Sequence, residues 1–319
     1  MCCLFGMVDY GHVLPQKRKH QILTILAAEC EARGTDATGI AYNSCGTLHI
    51  YKKPVPACQL RMRVPADAWV VMGHTRMTTQ GNAKWNYNNH PFRGKAGATT
   101  LALAHNGVLR NDDALKRHYQ LPHSKIQTDS YVATQLLEKK NILNFDSLRF
   151  MAEQLEGSFT ITVLDDANDL FVVKGDNPFC LLQFPRLGFY LYASTEEILR
   201  RTLDKLRLRK EKQVHIPVDC GEILKLSPDG EVARSRFNDE KLYLPWYGYD
   251  YDAGFSRGAV AAAWDDLYLE ELKEVAASFG YAPEDIDMLL KQGFSPEDVE
   301  DFLYCGECRG GLDYENTFD

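Results

Sequence analysis

No stretch of this 319-residue chain approaches the roughly 18 consecutive apolar residues of a membrane-spanning helix. The opening residues lack the basic-then-apolar layout of a secretory leader, so the expectation is a cytoplasmic protein with no membrane association. Basic residues are not in excess. Lys and Arg number 36 against 44 Asp and Glu, a formal charge of -8, which argues against nucleic acid as a partner. The imbalance is local: residues 281–319 carry 11 Asp or Glu against only Lys291 and Arg309, and the rest is near neutral. Internal repeats and low-complexity tracts are also missing, which sets aside solenoids and disordered scaffolds.

Regular cysteine spacing is absent too. The nine cysteines (2, 3, 30, 45, 58, 180, 220, 305 and 308) form an odd set, expected to be mostly reduced and partly buried. Cys305 and Cys308 make a single C-x-x-C without a second pair, which reads as a solvated loop in the acidic tail before it reads as a zinc or redox site. What is present is ordinary material for a globular core: 45% hydrophobic and 25% charged residues.

Read in order, residues 3–8 predict a buried strand that starts next to Cys2. An apolar stripe through Ile22, Leu23, Ile25, Leu26 and Cys30 predicts a helix over 17–32. Strands are expected at 39–43 and 47–52, at 69–72, and at 99–104, the last opening into His105-Asn106-Gly107. The strand at 69–72 runs straight into Gly73–Gly81, and the loop that follows, through Asn89-His90-Pro91, is polar and aperiodic. Helices are expected at 111–119, at 129–140 with Thr128 or Asp129 as cap, and at 146–155. Beyond Gly157 come strands at 158–164, 170–173, 179–184 and 189–193, a helix at 195–205, and strands near 213–217, 222–226 and 231–237. This order argues for stacked layers with largely antiparallel sheets, an α+β protein. Residues 245–258 have a linker's composition, rich in aromatics and glycine, and helices are expected at 264–279, 283–292 and 295–303.

Several residues could carry chemistry. If Met1 is removed, Cys2 presents a thiol beside a free α-amine, whose pKa of about 7.7–8.0 suits a base; alone, a cysteine at position 2 is more often incidental. Arg33-Gly34-Thr35-Asp36-Ala37-Thr38-Gly39 reads first as a helix exit with local hydrogen bonds. Arg76, at a strand end, could grip a carboxylate with both arms or pair with a carboxylate of the protein itself. Asn106-Gly107 offers an amide and an approachable backbone N–H for an oxyanion, although Asn-Gly is commonly just a turn. Asp129 is most simply a helix cap, yet its carboxylate could hold an ammonium group. Together these groups complement an α-amino acid with a side-chain carbonyl open to attack, and glutamine fits best.

At this point the sequence resembles the class II (N-terminal nucleophile) glutamine amidotransferase domain. The stretches that carry the resemblance are Met1-Cys2-Cys3-Leu4-Phe5-Gly6, Arg33 to Ile40, Gly73-His74-Thr75-Arg76-Met77-Thr78-Thr79-Gln80-Gly81, His90-Pro91, His105-Asn106-Gly107 and Thr128-Asp129. The resemblance implies a four-layer αββα sandwich over 2–244, a linker at 245–263 and a small acidic helical appendage at 264–319. It implies Cys2 as nucleophile, Asn106 and Gly107 as oxyanion hole, Arg76 on the glutamine carboxylate and Asp129 on its α-amino group. Met77 and Thr79 fall in the same binding loop, and Arg33 helps to position the terminal residue. Cys3 stands where many members have glycine, and Met77 where an aromatic is frequent; neither removes a reacting group. The chemistry calls for no metal and no cofactor.

The use of the ammonia stays open. The chain shows no phosphate-binding glycine-rich loop and no Ser-Gly-Gly-x-Asp-Ser ATP loop, and roughly 75 residues beyond the domain are too few for a sugar isomerase or phosphoribosyltransferase module. A stand-alone form is therefore expected. It would pass ammonia to a separate synthase docked through 245–319, or act alone as an amidase on glutamine or another γ-glutamyl compound. A non-catalytic glutamine-binding or adaptor protein is the reading from a different class.

Overall fold

A computed structural model of the chain describes residues 2–242, 272–273, 276, 281–291 and 299. Two compact units divide it, 1–245 and 246–319.

In the first unit, thirteen strands form two sheets in which every pairing is antiparallel. The seven-stranded sheet runs in the order β11 (Val214–His215), β9 (Cys180–Phe184), β10 (Phe189–Ala193), β1 (Cys3–Val8), β4 (Val70–Arg76), β2 (Ala37–Ser44), β3 (Thr47–Lys53). The six-stranded sheet runs β13 (Val232–Arg236), β12 (Glu222–Leu226), β8 (Leu170–Lys174), β7 (Gly157–Asp165), β6 (Thr99–Leu109), β5 (Phe92–Ala96). Helices α1 (Gln16–Glu29) and α5 (Glu196–Leu206) cover the first sheet, while α2 (Asp112–His118), α3 (Tyr131–Lys140) and α4 (Phe145–Gln154) lie on the second. The result is the expected αββα sandwich.

Three apolar layers hold it together. Central strands are covered on both faces, which is why β1 reads as an unbroken buried run rather than an alternating one. The period of two still sorts its side chains. Cys3, Phe5 and Met7 face α1 and α5, whereas Leu4 and Val8 enter the layer between the sheets. On β4, Val70 and Met72 share that inner layer, and on β6 so do Ala102 and Ala104, while Leu101 and Leu103 face the helices of the second sheet. Continued along each strand, the same parity turns Cys2, His74, Arg76 and Asn106 toward the inner layer at one end of the sandwich. His105 is turned toward α3.

Local chemistry sets the helix ends. Asn144 and Ser147 form a reciprocal capping box at α4, and the Thr195 hydroxyl accepts the Ile198 N–H at α5, with Glu196 and Glu197 in the first turn where the helix dipole favours them. The expected cap of α3 is not found. Ser130 occupies that position without a side-chain cap bond, because the Asp129 carboxylate is engaged elsewhere. Three other expectations are revised. His105-Asn106-Gly107 lies within β6 rather than at its end, and Phe92–Ala96 adds an edge strand in the region after the aperiodic stretch. The strand expected over 213–217 shrinks to Val214–His215.

In the second unit, α6 (Pro283–Lys291) buries Ile286 and Leu289 with Leu272, Ala276 and Val299, and Lys273 pairs with Asp287 at 2.6 Å. The linker at 245–258, most of the helices expected at 264–279 and 295–303, and Cys305 and Cys308 lie outside the described residues. Among the described residues no helix is long and apolar enough to cross a membrane.

Candidate active site

Strand β1 delivers Cys2 to the end of the inner layer, where its register against β4 sets Cys3 opposite Thr75. The Cys2 thiol donates to the Met77 carbonyl at 3.4 Å, and the Cys2 carbonyl accepts from Arg33 Nε at 3.1 Å. Burial pushes the Cys2 thiol above the ordinary range, with the Arg76 charge pulling the other way. A thiol in that state is inert until a base takes its proton.

The Arg33-to-Gly39 stretch does more than end a helix. Besides the local bond from the Gly34 N–H to the Glu31 carbonyl, it makes bonds to distant segments. Asp36 donates its N–H to the Arg76 carbonyl at 2.9 Å, and its carboxylate accepts from the Thr78 N–H at 2.7 Å. At Gly34 a Cβ would lie 2.5 Å from the Arg76 carbonyl carbon, so only glycine lets the two segments meet. This stretch therefore shapes the loop 77–80.

Arg76 is almost fully buried. It donates to Asn89 Oδ1 at 2.7 Å and to the Gln80 carbonyl, both neutral acceptors, and makes no ion pair among the described residues. The alternative of a structural salt bridge is thus not realised. Its positive charge remains available to an anionic ligand. Asp129 is equally buried. Its Oδ2 accepts from the Leu109 N–H at 2.6 Å, its Oδ1 from the Ser130 hydroxyl at 3.2 Å, and its own N–H donates to Gln80 Oε1 at 3.1 Å.

These groups converge. Cys2, Arg76, Met77, Thr79, Gly107 and Asp129 line one small concavity, with Gln80, His90, His105, Thr128 and Ser130 completing its wall. Arg33 and Asn106 do not line it. Asn106 is fully buried behind it, its Nδ2 donating to Ser194 Oγ at 3.4 Å and its Oδ1 without a partner among the described residues. Gly107 has φ +137°, and a Cβ there would stand 2.1 Å from the Ser158 carbonyl oxygen. One cation, one anion and a thiol around a small polar hollow match a zwitterionic amino acid. Among the described residues no group of three His, Cys, Asp or Glu is arranged to hold a metal.

Known proteins were compared on this basis. Over 244 residues, 72% of this chain, it is 32% identical to the glutamine–fructose-6-phosphate aminotransferase (isomerizing) of Geobacillus kaustophilus, of which it covers 39%. The protein of the same name from Staphylococcus aureus is 27% identical over 241 residues, with 73% of this chain and 38% of that one covered. The chain thus spans about two fifths of the length of the curated relatives it matches. No family model matches. Among solved structures, the glutamine phosphoribosylpyrophosphate amidotransferase from B. subtilis shares the fold, with a TM-score of 0.59 at 20% identity over 74% of this chain and 49% of that one.

The matched region is a class II glutamine amidotransferase domain of the N-terminal-nucleophile type.

Several parts of this amidotransferase site were given no role from the sequence. Ser194, at the end of β10, accepts the Leu4 N–H at 2.9 Å as well as the Asn106 amide, joining the strand that bears Cys2 to the second sheet. His74, His90 and His105 form a buried cluster. His74 and His90 have centroids 4.2 Å apart, His90 and His105 6.5 Å, and His74 Nε2 contacts the His105 carbonyl at 3.0 Å. Burial depresses the pKa of all three rings, that of His74 to about 3. Lys52 caps the loop before β5 through the Asn89 and Pro91 carbonyls, and burial lowers its pKa to about 8. Each of these contacts joins residues at least 10 apart in the chain, beyond what local pattern can register.

Proposed function

We propose that residues 2–245 hydrolyse the side-chain amide of glutamine, with Cys2 as nucleophile. Removal of Met1 frees the Cys2 α-amine, whose ordinary pKa of about 7.7–8.0 lets it take the thiol proton at neutral pH. The thiolate adds to the amide carbon, and the Asn106 amide and Gly107 N–H receive the charge that develops on oxygen. Ammonia leaves with the proton held by the α-ammonium, and water hydrolyses the thioester to release glutamate. Arg76 binds the substrate carboxylate and Asp129 its α-ammonium, while Met77 and Thr79 form the wall between them. Arg33 holds the Cys2 carbonyl and so fixes the terminal residue.

One observation supports this reading above the others: a buried guanidinium with no ion pair among the described residues and a buried carboxylate share a single concavity with the thiol. A pure glutamine binder needs the two charges but has no use for the thiol and the oxyanion donors. The test is glutamate release from glutamine by protein whose N-terminus has been verified by mass spectrometry, with Cys2→Ala alongside. Release that disappears in the variant is expected; release that persists places the chemistry elsewhere.

The relatives are named for moving an amino group onto fructose 6-phosphate, and the matched region is only part of their length. We propose that ammonia from this site likewise serves a synthase, reached as a separate partner through residues 246–319. Loss of ammonia-dependent coupling, with glutamate release intact, is the result expected when those residues are deleted.

A further inference from the structure

The Asp129 carboxylate ends a hydrogen-bonded chain that begins on strand β7. From that end, the Ser158 carbonyl oxygen lies 3.3 Å from His105 Nε2, His105 Nδ1 lies 2.8 Å from Ser130 Oγ, and Ser130 Oγ lies 3.2 Å from Asp129 Oδ1. Both ends are acceptors only. Three contacts need three hydrogens, but a neutral imidazole and a hydroxyl supply two. The chain is one hydrogen short.

The shortage has consequences that can be enumerated. With the ring hydrogen on Nε2, it donates to Ser158 and the Ser130 hydroxyl donates to Nδ1. Asp129 Oδ1 is then left without a donor and open to a ligand cation. With the ring hydrogen on Nδ1, Ser130 donates to Asp129, and the longest contact, to Ser158, loses its hydrogen. A proton added to the ring satisfies all three contacts at once. It also sets a cation next to Asp129, linked through the Ser130 hydroxyl.

We propose that His105 and Ser130 are positioning residues for Asp129, so that a proton on His105 and the α-ammonium of glutamine compete for its carboxylate. The inference rests on the assignment of Asp129 to the substrate ammonium made above. Burial keeps the ring neutral, its pKa below the ordinary 6.5, while Asp129 pulls in the opposite direction. Other charges face the ring as well. Asp176, bonded to the Phe159 N–H, adds an attraction for the proton; the neutral ring of His90 lies 6.5 Å from it by centroids, and that of His74 on β4 contacts the His105 carbonyl. Arg76 and Lys52 lie behind those rings and oppose further charging. The sign follows directly. Above the His105 pKa the carboxylate is free for the ammonium. Below it the ring is charged, Asp129 is neutralised, and glutamine is held less tightly, by reciprocal linkage up to about tenfold per pH unit.

The experiment is calorimetric binding to full-length Cys2→Ala protein from about pH 8 to about pH 5, a span that brackets the histidine range. Two probes are compared, glutamine and glutaramate, the same molecule without its α-amine. The expected result is strong preference for glutamine at the alkaline end, shrinking as the pH falls, with glutaramate affinity flat. Ser130→Ala, a mild change at a small buried side chain, and His105→Gln, which cannot titrate, should each make the preference independent of pH. A preference that holds throughout the acid range, or that keeps the wild-type pH dependence in both variants, overturns the proposal. Equal binding of the two probes at every pH overturns the assignment of Asp129 itself, and the two failures are thereby told apart.

Discussion

Asn106 carries a cost that its neighbours do not. Its side chain is fully buried, with one weak bond from Nδ2 to Ser194 and an Oδ1 that no described residue satisfies. An unsatisfied buried acceptor costs about 1–3 kcal/mol, and such groups persist where function needs them. Removing the whole amide should therefore spare stability and hurt catalysis. We expect Asn106→Ala to lower kcat about 10²–10³-fold with KM and melting temperature close to wild type. A large fall in melting temperature with kcat retained would make Asn106 a structural residue instead. At this scale residue type and family resemblance singled out Cys2, Arg76, Asn106, Gly107 and Asp129, and the fold brings all of these but Asn106 to one concavity. Ser130, Ser194 and His105 were not assigned roles, because a serine or a histidine acquires one only from what it touches. Lys19 makes the same point. It lies on a helix whose pattern gives no sign of burying a lysine, yet it is completely buried, paired with Asp9 at 3.0 Å and bonded to the Ala66 and Ala68 carbonyls.

At the scale of elements, three histidines from β4, β6 and the residue before β5's entry proline meet in one buried cluster. All three rings refuse protons that the unfolded chain accepts near pH 6.5, His74 until about pH 3. Over that window the unfolded state binds more protons, so stability falls as the pH falls. Asp165 works the other way. Burial raises its pKa from 3.8 to about 6, so between those values the folded state holds the extra proton. Three groups outweigh one. Denaturant midpoints should decline steadily below about pH 6.5, where surface carboxylates are still ionised; a flat profile down to about pH 5 would mean that the cluster takes up protons in the folded state. Helices and most strands of this domain matched the sequence pattern to within a few residues. One departure has a clear cause. Gly107 and its neighbours look like a turn because Asn-Gly usually is one, but β7 pairs with β6 from Leu101 to Leu109 and carries the strand through it.

At the scale of the molecule, each of the three apolar cores of the first unit is built from residues before 243 among those described. A fragment ending at Pro245 should thus melt as one cooperative unit and retain glutamate release within about twofold of the full chain, because surface or peripheral changes rarely alter a preorganised site. Loss of cooperativity on truncation would show that 246–319 contributes to the fold itself. The sequence by itself determined the sequence of elements and their apolar faces, since these follow from periodicity, caps and residue chemistry over short spans, and it offered the candidate groups for the proposed chemistry through short motifs. Tertiary structure alone decided that β1 lies between β4 and β10 and that Cys2, Arg76, Gly107 and Asp129 meet around one concavity. It also decided that Asp129 leaves its cap to meet Leu109. Those outcomes depend on which strands pair across tens to hundreds of residues, a choice made by the burial of the whole chain rather than by any segment of it.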